Sequence, residues 1–295
     1  MADPENLQSR IRTITWVGIW VNVVLSIVKV GAGIVGNSQA VLADGIESGM
    51  DIVTSFALLV CARFWTAPPD EDHPYGHRRI ETITTLGIGL VVAGVGTAVI
   101  LGALSSLRSG EHQHPNLVAF FVAVLAVVSK EFLYRWSARE GRRIRSSAVV
   151  ANAVHHRSDA FSSIPVVISV GAAPFLPGWT FLDAVGALVA GGFIMNAAIE
   201  IGWPALREIA DTGADAKVRD EIRKAALATE GVRGTHDLRT RYAGSALHVD
   251  LHLVVAADLT VLEGHRIGDA AAENIRNAAP EILDVLVHLD PSDDS

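Results

Sequence analysis

Six apolar stretches, each long enough to cross a hydrocarbon layer, constrain this chain more than any other feature. About 20 apolar residues at roughly 1.5 Å rise each are needed for a helical crossing. The stretches run over Ile14–Val35, Ala40–Phe64, Ile80–Leu107, Leu117–Trp136, Val149–Phe175 and Phe181–Ile201. Trp16, Trp20, Trp65, Trp136, Trp179 and Trp203 fall near their ends, where interfacial tryptophans belong. The mean hydropathy of +0.35, with only 19% charged residues, agrees with a membrane protein and excludes a disordered chain. The solitary Cys61 excludes a disulfide scaffold and reads as an apolar filler. Met1 to Gln8 is polar and no small-residue cleavage site follows, so the first stretch is expected to stay in the mature protein.

Basic residues set the orientation. Arg10 and Arg12 precede the first stretch, Arg78 and Arg79 separate the second and third, and Arg139, Arg142, Arg143 and Arg145 separate the fourth and fifth. The alternate connections hold only Arg108, with very short links at Gly36–Ser38 and around Pro174–Gly178. Positive loops stay on the cytoplasmic side, so both termini are expected there, in a cytoplasmic (inner) membrane.

The net charge of −8 is unevenly placed: residues 1–207 carry 15 basic and 15 acidic residues, whereas 208–295 carry 9 and 17. An acidic tail argues against nucleic acid and suits divalent cations. Its pattern turns to short amphipathic units: a helix over Asp215–Thr229, strands Val232–Tyr242 and Ala246–Val255, a helix from Val261 to Ala278 opened by a Thr260/Glu263 capping box, and a strand Ile282–His288. The expected architecture is a six-helix transmembrane domain over 1–207 and a small cytosolic α+β domain, ferredoxin-like with α-β-β-α-β order, over 208–295. On the second strand Val249, Leu251, Leu253 and Val255 share one face, leaving His248, Asp250 and His252 on the other.

Charges inside the apolar stretches mark function, because an unpaired carboxylate in hydrocarbon costs several kcal/mol. In the second stretch Asp44, Glu47 and Asp51 line one helical stripe, where mutual repulsion requires cations, protons or a water path. In the fifth, His155 and Asp159 are four apart. Two such pairs, Glu47/Asp51 and His155/Asp159, on facing helices would converge four N and O donors on a divalent ion. That set suits Zn²⁺ and is acceptable to Fe²⁺, Co²⁺, Mn²⁺ or Cd²⁺. The alternative is an interhelical ion-pair network satisfied by Lys29, Lys130 or Arg157, and the two pairs together favour metal. Lys29 and Lys130 with Glu131 otherwise read as interhelical or snorkelling charges, Asp183 as a helix-start or packing residue, and Glu200 as interfacial.

At these residues the sequence resembles the cation diffusion facilitator family of metal-ion/proton antiporters, through Ala43-Asp44-x-x-Glu47-Ser48-x-x-Asp51 and His155-x-x-x-Asp159. The resemblance implies that Glu47, Asp51, His155 and Asp159 bind the transported ion midway across the membrane, with Asp44 as their neighbour. Glu47 departs from the His or Asp common there. It further implies a second metal on the connecting loop at Asp70, His73 and His77, the alternative being a solvated polar loop that starts a helix. A third is implied in the cytosolic domain at His236, His252, His265, His288 and Asp290, at a homodimer interface. His248 departs from the pattern and is expected to be a plain surface residue. His112 and His114, in an external loop, read as a polar loop able to attract departing cations.

The expectation is a homodimeric secondary transporter that exports a divalent cation, Zn²⁺ first, in exchange for protons by alternating access. Metal would be both substrate and regulatory ligand, with membrane lipid as the surrounding partner and no organic cofactor. Metal binding displaces protons from His and carboxylates, so proton exchange is a natural coupling. The competing reading is a membrane metal sensor or scaffold with little transport. No enzyme is expected: the His-Glu-x-x-His of a metalloprotease and the nucleotide loop G-x-x-x-x-G-K-[ST] are both absent.

Overall fold

The computed structural model describes residues 4–110, 115–144, 146–172 and 179–292. Among the described residues seven helices come first: α1 (Pro4–Val35), α2 (Gln39–Trp65), α3 (Arg79–Ser109), α4 (Leu117–Arg143), α5 (Ser147–Ser162), α6 (Ile164–Ala172) and α7 (Phe181–Ile209). Then follow α8 (Ala216–Leu227), β1 (Gly234–Ala243), β2 (Ala246–Val255), α9 (Val261–Ala278) and β3 (Ile282–Pro291). His112, His114, Arg145 and the link Pro174–Gly178 lie outside the described residues.

Among the described residues, four helices are long and apolar enough to cross a membrane: Arg12–Val35, α3, α4 and α7. The acids of α2 fall in its first half. The fifth apolar stretch differs from its expected form: it is broken at Ser163 into α5 and α6. Pro165 explains the break, since it has no N–H to return to the carbonyl of Phe161.

The chain divides into two compact units, Met1–Ala57 with Ile88–Glu200, and Leu58–Gly87 with Ile201–Ser295. In the first, small residues let helices approach closely. A Cβ on Gly45 would come within 2.8 Å of the backbone nitrogen of Val30, so α1 and α2 touch there only because position 45 is glycine. The buried face of α4 is a stripe of Ala119, Ala123, Ala126, Lys130, Leu133, Ser137, Ala138 and Gly141, at helical spacings of three and four.

In the second unit, β1 pairs antiparallel with β2, and β2 pairs parallel with β3. Val249, Leu251, Leu253 and Val255 are buried, as their shared face requires, against Ile222 and Ala226 of α8 and Ala271 and Ile275 of α9. Thr260 caps α9, its hydroxyl accepting from the Glu263 backbone N–H while Glu263 accepts from that of Thr260. His248, expected at the surface, is only 8% exposed: it stands 3.8 Å from Asp284 and edge-on to Tyr75.

Candidate metal centre

Ser38 opens α2 by accepting from the Val41 N–H, and Asp183 of α7 accepts from both the Ser38 hydroxyl and the Gln39 N–H at 2.6 Å. Asp183 therefore anchors the start of α2 from the first turn of α7. Ser146 caps α5 through Val149 N–H. These anchors fix the two helices whose side chains meet at the centre.

Asp51 of α2 and His155 and Asp159 of α5 each offer one donor atom within 4.8 Å of the others. His155 Nδ1 lies 3.7 Å from Asp159 Oδ1; Asp51 and His155 are exposed and Asp159 is half-buried. Glu47 is half-buried one turn before Asp51 and falls outside this three-residue cluster. The longer Glu arm is the donor that would have to swing to complete a tetrad.

Asp44 has other partners. Its Oδ2 lies 2.8 Å from Lys29 Nζ and its Oδ1 accepts from Ser163 Oγ at 2.7 Å, with both charged side chains sealed from solvent. Lys29 also donates to Ser48 and Ser163. Ser163, at the α5–α6 break, further donates to the carbonyl of Asp159. Of the cations that the sequence offered as partners, Lys29 takes Asp44, Lys130 takes Asp159 at 3.3 Å, and Arg157 faces Glu131 at 3.8 Å and Tyr134. The helical unit thus combines a metal-type cluster with an ion-pair network, sharing Asp159.

In the loop between α2 and α3, Asp70, His73 and His77 also form a three-donor cluster. Asp70 Oδ1 accepts from His73 N–H at 2.7 Å and faces His73 Nδ1 at 3.0 Å, while Oδ2 is 3.3 Å from His77 Nε2. The His73 N–H holds the Asp70 carboxyl below the usual carboxylate range, with the His73 ring adding to it. His77 Nδ1 contacts the Pro68 carbonyl at 3.2 Å, which turns Nε2 toward Asp70 as outer partners do for metal-binding histidines. Gly76, at φ +79°, supplies the turn between the two histidines.

The third cluster is made by strand register. His236 stands opposite His252 across β1–β2, and His252 opposite His288 across β2–β3, with ring centroids 5.0 and 4.5 Å apart. Asp290 is two residues beyond His288, on the same side of β3. It reaches all three imidazoles, at 2.7 Å from His252 Nδ1, 3.2 Å from His236 Nε2 and 3.3 Å from His288 Nε2. The contact from His252 keeps the Asp290 carboxyl below its ordinary range. His265 does not join them: it is exposed on α9 beside Asp269, its i+4 neighbour.

Sequence reasoning underrated two groups: Lys130, signalled by one charge on an alanine stripe, and Ser163, signalled by the proline two residues later.

Comparison with known proteins places these features. The chain matches the family model for the cation efflux transmembrane domain over residues 15–210 and that for the cation efflux protein cytoplasmic domain over 214–292. It is 35% identical to metal tolerance protein C1 of Arabidopsis thaliana over 93% of this chain, and spans 61% of that protein's length. It is 34% identical to manganese efflux system protein MneS of Bacillus subtilis, over 93% of each chain. It is 30% identical to MneP of the same organism, over 95% of this chain and 96% of that one. The chain belongs to the cation efflux family, the cation diffusion facilitators.

Proposed function

We propose that the chain is a secondary active transporter that exports a divalent transition-metal cation from the cytoplasm in exchange for protons. The observation that carries the reading is the convergence of Asp51, His155 and Asp159 from two helices of an apolar helical unit. Glu47 completes the set when metal is bound. Residues 1–207 form the transmembrane domain, with α2 as the second of six spans and the α5–α6 pair as the fifth. Residues 208–295 form a cytosolic domain that pairs two copies and carries regulatory metal on His236, His252, His288 and Asp290. Both termini face the cytoplasm of an inner membrane.

A set of three carboxylates and one imidazole is oxygen-rich, and oxygen donors suit Mn²⁺ better than they suit Zn²⁺. Two relatives are named for manganese efflux. We therefore rank Mn²⁺ ahead of the Zn²⁺ expected from ligand spacing. Metal binding needs deprotonated ligands, so protons released on one side and regained on the other couple the two fluxes.

The test is flux into proteoliposomes of Mn²⁺, Zn²⁺, Fe²⁺ and Co²⁺ separately, with an imposed pH gradient and an internal pH dye. The expected result is flux of one ion with opposite proton movement, abolished by Asp51→Ala and by Asp159→Ala in proteins that still elute as the wild type does. Normal flux through Asp159→Ala would remove the assigned centre. Tight binding without movement of metal or protons would favour the sensor or scaffold reading, for which the histidine row on the sheet is the natural receptor.

A further inference from the structure

Lys130 is out of character with its surroundings. The stripe of α4 that carries it is otherwise alanine, leucine, serine and glycine, and its side chain is 4% exposed. Such a stripe packs two helices without help from charge. A buried ammonium on it lowers stability unless a partner compensates. The partner is Asp159 Oδ2 of α5 at 3.3 Å, one of the three clustered donors. The other buried lysine, Lys29, faces Asp44 at 2.8 Å, a carboxylate outside that cluster.

We propose that Lys130 is a built-in counter-cation for the metal centre, which an incoming divalent ion must displace from Asp159 and which helps to expel that ion afterwards. The inference rests on the transport reading and deepens it. A metal taking Asp51, His155 and Asp159 shares the last with a fixed positive charge, and like charges about one carboxylate apart repel strongly in a half-buried site. Lys130 therefore weakens binding and quickens release, and its return to Asp159 keeps that carboxylate paired in the emptied centre. The mechanism is competition between two cations for one oxygen, so it sets affinity and turnover in opposite senses.

The experiment measures Mn²⁺ and Zn²⁺ binding by calorimetry, and flux in proteoliposomes, for the full chain and for Lys130→Met, Lys130→Gln and Lys130→Arg. Removing the charge should tighten binding by about tenfold, a usual size for coupling between sites, and lower the maximal flux, so that KM and kcat fall together. Lys130→Arg should keep both near wild type. A purely structural lysine gives the opposite pattern: Lys130→Met and Lys130→Gln would lose thermal stability and bind metal equally or more weakly, and that result overturns the proposal. Should neither neutral variant fold, mass-spectrometric labelling of Lys130 with an amine-reactive reagent in the wild type decides. Metal should raise its labelling, and unchanged labelling would count against displacement. Wild-type protein that neither binds nor moves either ion defeats the transport reading itself. Wild-type binding that Asp159→Ala abolishes and Lys130→Met leaves unchanged defeats only the role given to Lys130.

Discussion

Lys29 and Asp44 show why spacing alone does not assign a ligand. Asp44 shares a helical stripe with Glu47 and Asp51, yet both its oxygens are engaged by Lys29 and Ser163. Breaking a buried pair from one side strands a charge, so Lys29→Met or Asp44→Asn alone should cost about 3–5 kcal/mol. The double variant Lys29→Met/Asp44→Leu should recover much of that loss. Denaturation in detergent measures all three, and single variants as stable as wild type would show that the pair is not structural. In the sheet domain, His252 is the middle of the histidine row and His265 lies apart on α9. His252→Ala should weaken metal binding to this domain by about tenfold or more, whereas His265→Ala should leave it unchanged in the same titration. Equal losses from both would put His265 back among the ligands.

Elements differ in how far their sequence alone reveals them. β2 and α9 are legible to the residue because local chemistry marks both ends: alternation over Ala246–Val255, and the Thr260 cap followed by period 3.6 to Ala278. The ends of α4 and α7 are not, since each helix continues past its apolar part into charged residues that hydropathy reads as loop. Cross-strand register was equally hidden, because pairing His236 with His252 and His252 with His288 is a long-range choice that no local pattern encodes. The same holds for the partners of Asp44 and Asp159, which are picked by helix packing. That packing is itself testable at Gly45, where any Cβ meets the backbone of α1. Gly45→Val should destabilise the helical unit by about 1–3 kcal/mol, read as a lowered melting temperature. An unshifted melt would mean that α1 and α2 separate freely. Thr260→Ala should cost about 1 kcal/mol by removing the cap of α9, visible as faster hydrogen exchange over its first turn.

On the scale of the whole molecule, residues far apart in sequence are fastened into one unit, with 58–87 joined to 201–295. Arg79 pairs with Asp211 at 2.9 Å, Thr82 donates to Glu208, and Glu81 accepts from the Ser245 N–H. Tyr75, between His73 and His77 on the loop, meets His248 edge-on and lies under the Arg241 guanidinium. The loop cluster is therefore tied to the sheet through an aromatic contact that includes a titrating ring. Burial pushes the His248 imidazole below its ordinary value of 6.5; Asp284 and Asp250 pull it back in part, and Arg241 adds to the lowering. A histidine whose folded pKa is depressed binds its proton more readily in the unfolded chain. Its contribution to stability is thus complete above about pH 6.5 and is lost as pH falls toward the lowered folded value. Melting of the full chain in detergent, followed between pH 7.5 and 5, should show the sheet-containing unit losing stability on acidification. His248→Gln should flatten that slope while leaving the melt at pH 7.5 little changed. A slope that survives the substitution would assign the acid sensitivity to other groups and leave the Tyr75 contact as packing alone.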